Sequence, residues 1–203
     1  MANIRAATIS EASRSSGEWV FVDLGFASEA KSCGLLVGDV NESEAKTLSF
    51  SQLKTEILSL CNTGTAPLNL LLEAPLSVAF GPNGNPVGRS VERRNGQTRY
   101  WYVGLGCSVL VAATYLLRSM HDLPVHREIR LFEGLVSFKP KGIPSSHTQD
   151  VIALREVVWS HDASRGRVVP PEELASKQGD RVVSAFQVAG MDFGVPPVVA
   201  VGA

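Results

Sequence analysis

Two uninterrupted apolar runs in this chain each end on a lone acid, and those acids constrain the fold more than anything else in the sequence. Trp19-Val20-Phe21-Val22 leads into Asp23, and Leu70-Leu71-Leu72 leads into Glu73. A third acid, Glu133, stands inside Ile129-Arg130-Leu131-Phe132-Glu133-Gly134-Leu135. Runs that are apolar on both faces belong in the middle of a covered sheet, where an unpaired carboxylate is costly. One such acid is explained by a turn or an arginine partner. Several in the same context point to convergence at one sheet edge, which makes a site for a divalent cation.

The rest of the composition sets limits on that picture. The 203 residues suit one domain of ordinary size. With 44% hydrophobic and 19% charged residues the chain is expected to be globular. The net charge of −1 exerts no global pull on nucleic acid, so any attraction to phosphate must be local. Cys33, Cys61 and Cys107 are far apart and odd in number, which argues against a disulfide scaffold or a zinc site and suits a reducing cytoplasm. The first 16 residues lack the apolar core of a signal peptide and are expected to form a flexible segment before a single domain over residues 17–203. The most lipid-like stretch, Gly104 to Leu117, falls short of the ~20 apolar residues a bilayer span needs, so no membrane association is expected.

Periodicity and turn residues predict an order of elements. Strands are expected at Glu18–Phe26, Ser32–Val40 and Lys46–Phe50, joined in a meander with Gly34 and Gly38 as turn residues. A helix with Ser51 as N-cap follows, up to Asn62–Gly64, and then a strand at Leu68–Ser77. Residues 81–99 read as a Gly/Arg-rich loop, Tyr100–His121 as a buried helix and Glu128–Phe138 as the fifth strand. Ser146–Trp159 is a helix opened by a capping box from Ser146 to Gln149. A polar linker over Ser160–Gly179 leads to a last helix, Asp180–Met191, and an apolar tail. The order β-β-β-α-β-α-β-α predicts an α/β fold of the ribonuclease H-like kind: a mixed five-stranded sheet with helices on both faces.

Magnesium and manganese take hard oxygen ligands from a few carboxylates and complete their shells with water and substrate phosphate. Two such ions about 4 Å apart activate water and stabilise the leaving oxygen of a phosphodiester. Asp23, Glu73 and Glu133 are the first candidates as catalytic and metal-binding residues. Asp150 shares a helix face with Ala153, Leu154 and Val157 that would look toward the sheet. Asp180 opens the last expected helix. His147, one turn before Asp150, is placed to assist proton transfer.

The stretches Val-Asp23-Leu-Gly, Glu73-Ala-Pro-Leu, Glu133 on the fifth strand and Asp180-x-x-x-x-Ala resemble the predicted-nuclease family called domain of unknown function 429. That family is assigned to the ribonuclease H-like superfamily, and the resemblance spans about Val20 to Val201. It implies a nuclease-like site holding Mg²⁺ or Mn²⁺ and favours Asp180 over Asp150 as the last ligand, whereas the helix-face argument favours Asp150. Glu73 stands where many relatives show an aspartate.

Arg89, Arg93, Arg94 and Arg99 are interleaved with Gly84, Gly88 and Gly96 and run into Tyr100-Trp101-Tyr102. Arginines bind phosphate bidentately and aromatic rings stack on unpaired bases, so this loop is the candidate nucleic-acid-binding element. A metal-dependent nuclease acting on DNA or RNA is therefore the leading expectation. Its alternatives are a non-catalytic binding module on the same fold, or an actin-like phosphotransferase suggested by Asp23-Leu-Gly25-x-x-Ser28. The nearly all-apolar helix Val103–Leu117 is compatible with a homodimer.

Overall fold

The computed structural model describes residues 2–25, 31–38, 44–94, 96–98, 105–124, 126–136, 146–160 and 162–202. In chain order these form β1 (Asn3–Ala6), β2 (Glu18–Asp23), β3 (Cys33–Val37), β4 (Lys46–Leu48), α1 (Phe50–Asn62), β5 (Leu68–Glu73) and β6 (Ser77–Phe80). The short β7 (Pro86–Val87), β8 (Arg93–Arg94) and β9 (Gln97–Thr98) come next, then α2 (Leu105–His121), β10 (Glu128–Leu135) and α3 (His147–Trp159). The chain ends with β11 (Gly166–Val169), β12 (Arg181–Ser184) and β13 (Val198–Val201).

The molecule is α/β, with a mixed eight-stranded sheet in the order β11-β13-β10-β5-β2-β3-β4 and β1 alongside β10. β2, β5, β10 and β13 run parallel, and the β2–β3–β4 meander is antiparallel. Three additions correct the expected five strands. β1 pairs parallel with β10, so residues 3–6 belong to the sheet and are not a segment apart from it. β11 and β13, expected as linker and tail, extend the far edge.

Two further corrections have local causes. The expected strand Leu68–Ser77 splits at Ala74-Pro75, because proline has no N–H for the ladder, and β6 leaves for a small second sheet with β7 and β12. The expected helix Asp180–Met191 is instead β12 followed by a short 3₁₀ turn at Gln187–Ala189. The Val182-Val183 pair favours strand, and β6 supplies the antiparallel partner that a sequence pattern does not display.

Strand parity divides the core. Val20, Val22, Leu70, Leu72, Ile129 and Leu131 pack on one face beneath α1 and α2. Phe21, Leu71 and Phe132 pack on the other against Val151 and Leu154 of α3. Helices thus cover both faces of the sheet. Each fully buried Leu, Ile or Phe contributes roughly 1.5–3 kcal/mol from burial, which is what holds α3 over the strand ends. No helix among the described residues is long and apolar enough to cross a membrane.

Candidate metal centre

Parity also decides which acids meet. Asp23 and Glu73 are direct neighbours in the parallel β2–β5 register. Both continue the row of Phe21 and Leu71, so both face α3. The Ser146 side chain caps α3 by accepting from Gln149 N–H, with the reciprocal bond from Ser146 N–H to the Gln149 side chain. Asp150 sits one turn inside that cap and is buried against the sheet. The three carboxylates place one oxygen each within 4.8 Å of one another.

α3 comes this close because β3 carries a glycine opposite Asp23. Gly34 pairs with Asp23 across the ladder, and a Cβ on Gly34 would lie 2.3 Å from the His147 carbonyl oxygen. Gly34 is thus a close-approach position inside a strand and not the turn residue its sequence context suggests.

His147, the first residue of α3, holds its Nδ1 2.6 Å from Asp23 Oδ2. Its side chain is 40% exposed, against 9% for Asp23. Burial pushes the Asp23 carboxyl above its ordinary range, and the nearby Asp150 charge adds to the rise. Hydrogen bonds to Glu73 and His147 act in the opposite direction.

The other expected ligands lie elsewhere. Glu133 pairs in register with Leu72, not Glu73, so its side chain faces the opposite side of the sheet. There it is fully buried with Arg89, which donates from Nη1 to Glu133 Oε2 at 2.8 Å and places Nη2 2.7 Å from Oε1. Leu76 N–H and Ser77 N–H donate to the same Oε2 at 2.9 and 3.2 Å. Arg89 also meets Glu92 at 3.2 Å and donates to Ser77 Oγ at 2.7 Å. Arg89, expected to grip phosphate, is 1% exposed and is part of the interior. Asp180 is likewise not brought to the cluster: its Oδ2 accepts from Lys177 N–H at 2.9 Å, closing a surface turn. Arg93 and Arg94 lie on the β8–β9 hairpin. Arg99 lies outside the described residues.

The donor set fits a hard divalent cation: three carboxylate oxygens, all buried, within 4.8 Å of one another. The fold and site together define an α/β protein with an acidic cluster at the carboxyl end of its parallel strands. Comparison with protein-family models, with curated proteins and with solved structures finds no match.

Proposed function

We propose that this chain is a divalent-metal-dependent phosphodiesterase, a ribonuclease H-like nuclease acting on nucleic acid. The observation that carries the proposal is the convergence of Asp23, Glu73 and Asp150 from β2, β5 and α3 within 4.8 Å. The strand order supports it: an antiparallel meander whose first strand, β2, lies beside parallel β5, with parallel β10 on the far side of β5, is the arrangement that the ribonuclease H-like element order calls for. The resemblance to the predicted-nuclease family points the same way.

Asp23, Glu73 and Asp150 would hold Mg²⁺ or Mn²⁺, which when bound supplies Lewis-acid polarisation of a phosphoryl oxygen and an acidified water. The remaining roles belong to the chain itself. The Asp23 carboxylate fixes the His147 ring through Nδ1, which turns Nε2 away from the carboxylate toward the half-exposed side. There Nε2 is placed to exchange a proton with an attacking water or a leaving oxygen. The amino-terminal end of α3 adds partial positive charge beside the acids, favouring their ionised, cation-binding form.

The test is cleavage of labelled DNA and RNA by wild type and Asp23→Asn in Mg²⁺ and Mn²⁺. Wild type is expected to cut at least one of them, with loss in chelator and in the variant. Metal binding without cleavage of either would move the chain to the non-catalytic module. Absence of metal binding at millimolar concentration would overturn the metal centre itself.

A further inference from the structure

β5 loses its β10 neighbour just before Glu73. The β10–β5 pairing ends with Glu133 opposite Leu72, and from Glu133 onward β10 pairs with β13. On the other side the β2–β5 register runs one residue further, to Asp23 opposite Glu73. Ala74 N–H donates to Leu72 O at 2.9 Å, so Glu73 is the middle residue of a three-residue turn. The direction of its side chain therefore depends on where that turn is held.

The turn is held from Glu133. Its Oε2 accepts from Leu76 N–H and Ser77 N–H, the first N–H groups after Ala74, because Pro75 has none. The carboxylate takes the place that a continued β10 ladder would fill. Arg89 grips that carboxylate and also donates from Nη1 to Ser77 Oγ at 2.7 Å. Leu76 O accepts from Ala185 N–H at 3.0 Å, which joins the same turn to the end of β12. Ser77, Arg89 and Glu133 are each at most 1% exposed. Stability alone is a weak reason for burying a guanidinium between Glu92 and Glu133, since apolar residues of the same volume often serve as well. Directed hydrogen bonds, by contrast, admit only a narrow range of geometry.

We infer that Glu133 and Arg89 are positioning residues for the metal centre: from the opposite face of the sheet they fix the turn at Ala74-Pro75, and with it the direction of the Glu73 carboxylate toward Asp23 and Asp150. Their role rests on the proposed metal centre and adds to it two residues that touch no cation. It also gives the small β12-β6-β7 sheet a purpose. That sheet carries Ser77 and, in the segment that follows β7, Arg89.

The experiment separates reach from charge at position 133. Mn²⁺ binding is titrated by calorimetry on wild type, Glu133→Gln, Glu133→Asp and Asp23→Asn, each below its thermal transition. Glu133→Gln keeps an oxygen for Leu76 and Ser77 but loses the charge facing Arg89. It should melt lower than wild type and bind Mn²⁺ as wild type does. Glu133→Asp keeps the charge but withdraws the carboxylate by one methylene. It should bind Mn²⁺ about tenfold more weakly, the low end of what groups that orient metal ligands contribute. Amide exchange at Leu76 and Ser77 should quicken in Glu133→Asp and not in Glu133→Gln. The positioning role is overturned if Glu133→Asp binds Mn²⁺ like wild type, if its Leu76 and Ser77 amides stay protected, or if Glu133→Gln loses as much affinity as Glu133→Asp. Should Glu133→Gln fail to fold, Glu133→Asp against wild type decides. A wild type that binds no Mn²⁺ overturns the metal centre and the positioning role together, whereas a wild type that binds it and is matched by Glu133→Asp overturns the positioning role alone.

Discussion

Glu133 lies one residue out of phase with the Asp23–Glu73 row, and that single step separates a structural acid from a candidate ligand. It pairs with Leu72, which pairs with Val22, so its carboxylate emerges on the face beneath α1 and α2. There it ties Arg89 to the turn that follows Glu73, through Leu76 N–H and Ser77 N–H. Removing one member of a buried ion pair leaves the other charge uncompensated. Glu133→Ala should therefore cost about 3–5 kcal/mol in urea unfolding, whereas Asp180→Ala, at a surface turn, should stay within about 0.5 kcal/mol. A mild Glu133→Ala phenotype would mean that Glu92 alone suffices for Arg89. From the sequence all of these acids look alike, since each sits in or beside an apolar run. The register that sorts them is a property of paired strands and is not written in either strand alone.

α3 packs on β3 beside the site, whereas β1 pairs with the start of β10, at the other end of the parallel strands. Gly34 lets the α3 terminus reach the sheet, since a Cβ there would be driven into the His147 backbone. Gly34→Ala should cost about 1–3 kcal/mol through overpacking. It should also displace Asp150 from Asp23 and Glu73, which a weakened Mn²⁺ titration would reveal. At β1, Arg5 binds Glu11 at 2.6 Å and Glu128 at 2.7 Å, and Arg130 pairs with Glu128 at 2.7 Å. The Arg5 hydrogen bond pulls the Glu11 carboxyl from near 4.5 down to about 2, and Glu128 is lowered chiefly by its bond to Arg130. For a carboxylate lowered on folding, the stabilisation is complete above the ordinary pKa and is lost as pH falls through the folded one. Protection factors of the β1 amides, taken relative to intrinsic exchange at each pH, should therefore fall between about pH 5 and pH 2 before those of the central strands do. Equal protection of β1 and β5 throughout that range would contradict this anchoring. One cap signal was legible here: the Ser146–Gln149 capping box is present as the sequence indicates, whereas α1 is capped by Ser49 and not by Ser51. The closeness of Gly34 to α3 was not, because a glycine in a strand is indistinguishable in sequence from one in a turn.

Across the whole molecule, a cation bound at the proposed site would couple metal binding to stability. Packing of Phe21, Leu71 and Phe132 under α3 holds three mutually repelling acids in place, so a cation that binds only the folded state should stabilise it. At a hundredfold excess over its dissociation constant the gain is about 2.7 kcal/mol. Asp23→Asn relieves the repulsion, and its metal-free melting temperature should equal or exceed that of wild type while the metal response disappears. A wild type whose melting temperature is unmoved by Mn²⁺ or Mg²⁺ would count against the site.

The sequence by itself determined the α/β alternation, the two strand-end acids at Asp23 and Glu73, and the sheet-facing side of the helix that carries Asp150. Those are local facts, since hydrophobic period and cap chemistry act over a few residues. Only the tertiary structure decided that Glu133 and Arg89 neutralise each other inside, and that residues 181–184 add a strand and not a helix. Each of those depends on a partner distant in the chain, and neither strand register nor ion pairing between remote segments leaves a periodic trace in sequence.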